Sequence, residues 1–245
     1  MRNILFLVIL LLVACKPVEK PLTAQQIINK SIAASGMDKI GNSTIEFQFR
    51  NRDYKATRDN GKFSLERITT KDDTVTRDVL SNKGFERYQN FESVIVPDDM
   101  AARYSASVNS VHYFSVLPYG LNDTAVHKKL LKEVTVKGKE YYKIEVTFSE
   151  NGGGEDFEDV FIYWVGKENF LVDYLAYSYH TSDSGMRFRV LKEQCVRNGV
   201  RFVDFHNYKP KNASISLEDI DAVFENGGLE KLSEIVLENI KVVQN

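Results

Sequence analysis

Residues 159–165 read Asp-Val-Phe-Ile-Tyr-Trp-Val, and residues 170–179 read Phe-Leu-Val-Asp-Tyr-Leu-Ala-Tyr-Ser-Tyr. Successive side chains of a β-strand point to opposite faces of its sheet. Val160, Ile162 and Trp164 would occupy one face, and the residues between them are equally apolar. A strand that is apolar on both sides is covered on both sides. We therefore expect these two strands at the centre of a sheet, with other elements packed on each face.

The chain on either side of this centre also has the period of a strand. Ile45, Phe47 and Phe49 share one face, and the same alternation returns over residues 141–148. Clusters of Asn, Asp and Gly separate the apolar segments, and Asn198-Gly199 is the strongest hairpin signal among them. The pattern predicts an antiparallel meander with a last strand at Glu234–Val243. So long a sheet is expected to curl.

Four segments have helical periodicity. Thr23 and Gln26 form a capping box before a helix over residues 24–35. Further helices are predicted over residues 98–111 and 123–131, and a short one follows Ser216. Each has an apolar stripe that must lie on a sheet face. The predicted fold class is mainly β (α+β): a strongly curved antiparallel sheet forming an incomplete barrel, with helices on the concave face, in a single domain over residues 22–245.

The N-terminus has the features of a secretory signal. Arg2 precedes an apolar run from Ile4 to Val13, which is shorter than the roughly 20 residues that cross a bilayer as a helix. The run ends in Leu12-Val13-Ala14-Cys15, which resembles the lipobox of bacterial lipoproteins at every position. The resemblance implies that residues 1–14 are a signal peptide, that Cys15 is acylated and that residues 15–21 form a tether. Lys16 resembles the residue that directs such proteins to the outer membrane, so we expect a lipid-anchored protein of the cell envelope.

The overall plan is similar to that of the outer-membrane lipoprotein carrier and receptor family: an N-terminal helix, a meander, an inserted helical lid and more meander. That resemblance implies an incomplete barrel whose helices leave an apolar cavity for acyl chains. Several segments also resemble an uncharacterised group of Gram-negative lipoproteins. They are Tyr119–Asp123, Gly152–Phe157, Val172–Tyr177 and Arg201–Asp204.

Composition and motifs argue against several classes of function. The net charge of −2 gives no electrostatic footprint for nucleic acid. The four histidines, at positions 112, 127, 180 and 206, lack the spacing of zinc ligands. Asp204 and His206 share a strand face, and we favour a hydrogen-bonded pair over a catalytic dyad because no nucleophile accompanies them.

An acidic cluster follows the glycine turn at residues 152–154. Its members are Glu155, Asp156, Glu158 and Asp159. Oxygen ligands beside a flexible turn could hold calcium, and paired carboxylates could act on a glycan, but a solvated hairpin tip is the commoner outcome. We therefore predict no metal, no cofactor and no catalytic residue.

Arg187 and Arg189 share one strand face opposite Met186 and Phe188. They could bind a phosphate or lipid head group at a cavity rim, although cross-strand pairing with Asp or Glu is the commoner arrangement.

The sequence hypothesis is a non-enzymatic, membrane-anchored protein that binds a lipid or acyl chain between the curved sheet and a lid at residues 98–119. Its predicted cavity residues are Phe47, Phe49, Tyr104, Tyr113, Phe114, Trp164, Tyr177 and Phe188. The alternative is a structural or accessory lipoprotein of an envelope complex, with an envelope protein partner, a packed core and an exposed apolar patch.

Overall fold

The computed structural model describes residues 20–154, 157–179 and 184–245. The predicted signal peptide and most of the tether therefore lie outside the described residues. Within the described ranges the strands pair antiparallel throughout and form two sheets. The first sheet has the order β15-β1-β2-β3-β4-β5-β6. Its strands are β1 (Asn42–Phe49), β2 (Arg52–Asp59), β3 (Lys62–Lys71), β4 (Thr74–Ser81), β5 (Gly84–Gln89), β6 (Glu92–Val94) and β15 (Leu237–Gln244).

The second sheet has the order β14-β13-β12-β11-β10-β9-β7, and a short β8 also pairs with β9. Its strands are β7 (Val126–Leu130), β8 (Val134–Val136), β9 (Lys139–Phe148), β10 (Val160–Gly166), β11 (Val172–Tyr179), β12 (Gly185–Arg197), β13 (Val200–Pro210) and β14 (Leu229–Ile235). The two strands that are apolar on both faces are β10 and β11, in the middle of this sheet.

The two sheets are joined at one corner and open elsewhere. β14 ends at Ile235 and β15 begins at Leu237 in the other sheet. The Asp204 carboxylate on β13 accepts a hydrogen bond from the Leu237 backbone N–H at 2.9 Å, which ties the sheets together. The opposite ends of the sheets, β6 and β7, do not pair with each other. The fold is an incomplete barrel, as the sequence predicts.

Two helices cover the inner face, meaning the face that the two sheets share inside the incomplete barrel. The first, α1 (Ala24–Ala34), has the predicted Thr23–Gln26 capping box, and Ile27 and Ile28 are fully buried against β9, β10 and β11. The second, α2 (Asp98–Ser115), packs Val108 onto the first sheet and its last turn onto the second. The chain leaves α1 through Gly36, where a Cβ would lie 1.9 Å from the Gly199 carbonyl oxygen. Only glycine fits against the Asn198-Gly199 hairpin there.

A third helix, α3 (Ile220–Glu225), covers the outer face of the second sheet. Trp164 and Phe188 are fully buried there beside Ile220. The buried Asp221 carboxylate accepts hydrogen bonds from the Lys143 ammonium at 3.0 Å and from the Trp164 indole N–H at 3.1 Å. The two-sided burial predicted for β10 therefore has a specific cause: α1 and α2 cover one side and α3 covers the other.

The helix predicted over residues 123–131 is wrong. Those residues contain β7, which pairs with β9 so that Val126 lies opposite Phe148 and Leu130 opposite Ile144. Asn122, which directly precedes this segment, accepts a side-chain hydrogen bond from Gln25 and donates one to Asn29 of α1, at 2.7 and 2.9 Å. Pairing at a sheet edge outweighs local helix propensity in this segment.

The single strand predicted at Glu234–Val243 is also wrong. The chain forms β14 and β15 there, and they belong to different sheets. The alternation of apolar residues continues from the end of β14 into the start of β15, because alternate residues of both strands point inward. The sequence pattern therefore shows one strand where the structure has two. The remaining predicted elements are present with ends displaced by a few residues. Among the described residues, no helix combines the length and apolarity that a membrane span requires.

Candidate ligand-binding cavity

A cavity of about 490 Å³ lies on the inner face, between the last turns of α2 and the corner where the two sheets meet. Its volume is in the range of small-molecule binding pockets. Aromatic and aliphatic side chains form much of the wall. They are Phe49, Val111, Tyr113, Phe114, Phe148, Phe161, Tyr177, Tyr179, Val203, Phe205, Ile235 and Leu237.

The aromatic rings of the wall support one another. Phe161 and Tyr177 stack with their ring centroids 5.3 Å apart, and Phe114 packs on Tyr177 at the same distance. Phe148 meets the Phe161 ring edge-on at 5.7 Å. Such pairs stabilise by about 0.5–1.5 kcal/mol beyond the burial of their area. The wall is therefore preorganised, and the helix residue Phe114 is held by the sheet rather than by neighbouring turns of α2.

Two tyrosines fix the last turn of α2 to the sheet. The Tyr113 and Tyr163 hydroxyls lie 3.0 Å apart. Burial raises the pKa of Tyr113 to about 12 and raises the pKa of Tyr163 well above its usual value. Both phenols are neutral at physiological pH, so they act as hydrogen-bonding groups and not as negative charges.

Arg189 is the charged group buried in the cavity wall. Its side chain is on β12 and the residue is 8% exposed. The guanidinium carbon lies 3.6 Å from the centroid of the Phe114 ring, and Nη2 donates to the Tyr177 hydroxyl at 3.3 Å. Burial lowers the pKa of Arg189, but an arginine remains charged at neutral pH. Its cross-strand partners are Leu175 and Asn207, so the acidic partner favoured at sequence level does not face it.

Further polar groups line the cavity away from this aromatic wall. Arg50 and Asp159 are its other charged lining residues, and Ser110, Ser115 and Asn207 contribute uncharged polar groups. The described lining thus combines a larger set of aromatic and aliphatic residues with a substantial minority of polar and charged ones, which can orient a ligand.

The model of a family of unknown function, DUF6503, matches residues 2–238. The chain belongs to DUF6503. No curated protein matches the sequence of this DUF6503 chain.

Two solved structures are similar to this DUF6503 chain in fold. One is a LolA superfamily protein from Nitrosomonas europaea, with 11% identity and a TM-score of 0.48, over 90% of this chain and 94% of that one. The other is a DUF1329 family protein from Desulfovibrio piger, with 10% identity and a TM-score of 0.46, over 89% of this chain and 92% of that one.

Four of the eight predicted cavity residues line the cavity of this DUF6503 chain: Phe49, Tyr113, Phe114 and Tyr177. The other four lie elsewhere. Phe47 is buried between Tyr54 and His112. Trp164 and Phe188 are core residues of the outer face, in contact with each other at 5.3 Å.

Tyr104, the eighth residue, lies on the first half of α2 beside a polar cleft on the first sheet. The Arg87 guanidinium lies 3.7 Å from the centroid of its ring. Asp78 accepts from Arg87 and Arg67 at 2.6 Å each, and Arg67 also donates to Ser107 of α2 at 2.7 Å. The cations of this cluster are satisfied within the fold, so the cluster docks α2 and does not offer a ligand site.

His206 and Asp204, which the structure describes, have other partners than each other. His206 Nδ1 lies 3.4 Å from the Glu234 carboxylate, and the Asp204 carboxylate accepts from the Leu237 backbone N–H. The predicted hydrogen bond between His206 and Asp204 is therefore wrong. Glu155, Asp156 and His180 lie outside the described residues. Across the three described ranges, no cluster of His, Cys, Asp or Glu has the arrangement of a metal site.

Two features of the cavity wall were not predicted from the sequence: the role of Arg189 and the contribution of three phenylalanines. Sequence reasoning weighed Arg189 for a head group but preferred an ion pair, and it did not select Phe148, Phe161 or Phe205. The inward position of Phe161 on β10 was readable from alternation. The assembly of these residues in one wall was not readable, because it depends on how β13 and β10 curve around α2.

Proposed function

We propose that this chain is a lipoprotein of the cell envelope that binds an apolar ligand, a lipid or an acyl chain, without transforming it. The single observation that carries the proposal is the aromatic cavity of about 490 Å³ under α2. Burial of ten methylene groups contributes about 8 kcal/mol before the cost of association. Such a ligand needs a preformed apolar wall and few polar contacts, which are the features of this site.

A non-enzymatic role is supported by the chemistry of the wall. The described lining residues include serines but no histidine, cysteine or lysine. A serine needs an adjacent base to act as a nucleophile, and the buried phenols of Tyr113 and Tyr163 stay protonated at neutral pH because burial raises their pKa values. Binding without chemistry requires none of these groups.

The anchor is proposed from the sequence at Cys15. Acyl chains on this residue would hold the folded body at a membrane surface through the tether, since several chains together give stable attachment. Cys15→Ser should move the protein from the membrane fraction to the soluble fraction. Metabolic labelling with a radioactive fatty acid checks the modification, and labelling that persists in the variant would contradict the assignment.

The ligand proposal is tested by native mass spectrometry of protein extracted from its own membrane under conditions that retain lipids. We expect adducts of lipid mass on the acylated wild-type chain. Val203→Trp fills the cavity with an indole and should remove them, while Val196→Trp places the same group on an exposed part of β12, where Val196 is 61% exposed. A wild-type protein without adducts, or adducts that survive Val203→Trp, would refute binding in this cavity.

A second candidate function is docking onto an envelope protein. It is favoured by Phe91 and Ile95, which flank β6 and are 94% and 97% exposed. Exposed apolar patches are typical of interaction sites. A photo-crosslinking residue at position 91 should capture one defined protein in cells, whereas the same residue at exposed position 196 should not. Absence of a product specific to position 91 would count against this function.

A further inference from the structure

Arg189 is a buried cation that meets no counter-ion within residues 20–154, 157–179 and 184–245. None of the salt bridges among the described residues includes it, and its buried Nε has no hydrogen-bond partner in that part of the chain. A guanidinium has five N–H donors, and the bond from Nη2 to Tyr177 uses one of them. An unsatisfied buried charge is costly, so its presence in a native wall calls for a function.

Asp159 also lines the cavity, but among the described residues the groups that act electrostatically on Arg189 are Tyr177, Tyr163 and Arg187. The Tyr113 and Tyr163 phenols are neutral because burial raises their pKa values. The Phe114 ring face stabilises the cation but offers no acceptor in the plane of the guanidinium. Arg189 itself lines the cavity, whose wall is mostly aromatic and aliphatic and also includes Arg50 and Asp159.

We propose that Arg189 binds the anionic head group of the ligand, so that the cavity takes an amphiphile with a carboxylate or phosphate head and an apolar tail. This inference rests on the proposed function and specifies its ligand class. The head group lies beside Arg189 and Tyr177, whose hydroxyl accepts from Nη2 and has its own proton free to donate. The tail follows the wall of Phe114, Phe161 and Phe148. Guanidinium groups bind planar oxyanions through paired hydrogen bonds in a way that lysine cannot.

The experiment compares probes that differ in one part of the molecule. Palmitate and 1-palmitoyl lysophosphatidate have the anionic head and the tail, hexadecanol has the tail alone, and acetate and inorganic phosphate have the head alone. Affinities are measured by isothermal titration calorimetry or native mass spectrometry on the full mature chain. We expect one of the two tailed anions or both to bind more tightly than hexadecanol, and the head groups alone to bind weakly.

Three variants assign the preference to Arg189. Arg189→Met keeps an unbranched side chain in the aromatic slot and should weaken binding of the tailed anion about tenfold to a hundredfold, the value of a charged hydrogen bond. Its affinity for hexadecanol should change less than about threefold. Arg189→Lys should retain part of the preference. Arg77→Met is the matched control, because Arg77 also lies over a tyrosine ring, 4.7 Å from the Tyr88 centroid, but on the first sheet and outside the cavity lining, and it should leave the preference intact.

The possible failures are distinguishable. Equal binding of hexadecanol and the tailed anions to the wild type, or an anion preference that survives Arg189→Met, would overturn the head-group assignment and leave the apolar-ligand proposal in place. Binding of inorganic phosphate as tight as that of lysophosphatidate would show a free-anion site and overturn the amphiphile. Binding of none of the probes, together with an adduct-free protein from the membrane, would overturn both.

Discussion

The two faces of the second sheet each bury a cation on an aromatic ring, and they treat it differently. On the outer face Lys143 lies 5.0 Å from the centroid of the Trp164 ring, and its ammonium donates to the Asp221 carboxylate and to the Glu218 carbonyl. On the inner face Arg189 lies 3.6 Å from the Phe114 centroid and has no carboxylate partner among the described residues. The outer cation is part of a filled core, whereas the inner cation borders a void.

The difference indicates that the two cations have different roles: Lys143 is part of a packed core, whereas we propose that Arg189 binds a ligand. A fold that only needs stability pairs its buried charges or leaves them out. The outer face follows that rule, and the inner face departs from it where the cavity lies. Departures of this kind concentrate at functional sites, which is why the unpaired guanidinium says more about this protein than the larger ion clusters do.

The largest expected effect comes from breaking the outer pair. Asp221→Ala leaves the Lys143 ammonium buried without its carboxylate and should lower the free energy of unfolding by about 3–5 kcal/mol, measured by urea denaturation. The double variant Lys143→Met/Asp221→Leu removes both charges and should recover most of the loss. Lys129→Ala, which breaks an exposed pair with Glu145, serves as control and should cost less than about 1 kcal/mol. If Asp221→Ala is as stable as Lys129→Ala, the carboxylate is not needed to stabilise the buried Lys143, and the two faces do not differ in this respect.

A third buried basic residue, His112, differs from Lys143 and Arg189 because its side chain is neutral at pH 7. His112 lies beneath α2 between Phe47 and Tyr54, with Nε2 3.0 Å from the Glu66 carbonyl. Burial is the main cause that lowers its pKa to about 4 from 6.5, and the nearby Arg58 charge adds to it. The folded state therefore favours the neutral ring. Its contribution to stability is complete above pH 6.5 and is lost as the pH falls from 6.5 to 4.

Because of His112, we expect the free energy of unfolding to be about 2 kcal/mol lower at pH 5 than at pH 7. His112→Gln keeps a donor for the Glu66 carbonyl and should flatten that part of the pH profile. His127→Gln, at an exposed position, should leave the profile as it is in the wild type. Identical slopes between pH 7 and pH 5 in all three proteins would contradict a buried neutral His112.

The smallest expected effect is at Arg189 itself. Arg189→Met removes a charge that no carboxylate of the described residues offsets, and the desolvation cost that disappears with it is balanced by the lost contact with Phe114. The free energy of unfolding without ligand should therefore change by less than about 1 kcal/mol, measured by the same urea titration. A loss comparable with that of Asp221→Ala would mean that Arg189 holds the inner face together, and the two cations would no longer differ in role.

Much of the fold could be read from residue patterns. Alternation placed β10 and β11 at the sheet centre, and Thr23, Ser216 and Asn198-Gly199 marked two helix starts and a hairpin. The prediction of a helix at 123–131 was wrong because pairing with β9 is a long-range interaction. One strand was predicted where β14 and β15 lie, because a strand that leaves one sheet and enters another keeps its alternation.

The candidate site was predicted only in part for a related reason. Phe49, Tyr113, Phe114 and Tyr177 line the cavity, whereas Trp164 and Phe188 point to the outer face. Aromatic character says that a side chain will be buried, and alternation says which residues share a face. Neither says which face meets α3 and is filled.

The sequence by itself determined the local order: the turns, the caps, the alternation of the strands and the apolar stripes of α1 and α2, all set by interactions between residues near in the chain. Tertiary structure alone decided that the sheets stay open, that α3 fills one face and that α2 leaves space over the other. Packing of distant segments decides whether a volume is filled and whether a buried charge meets a partner. That Arg189 meets no carboxylate in the described part of the chain is therefore a property of the folded chain and not of any segment of it.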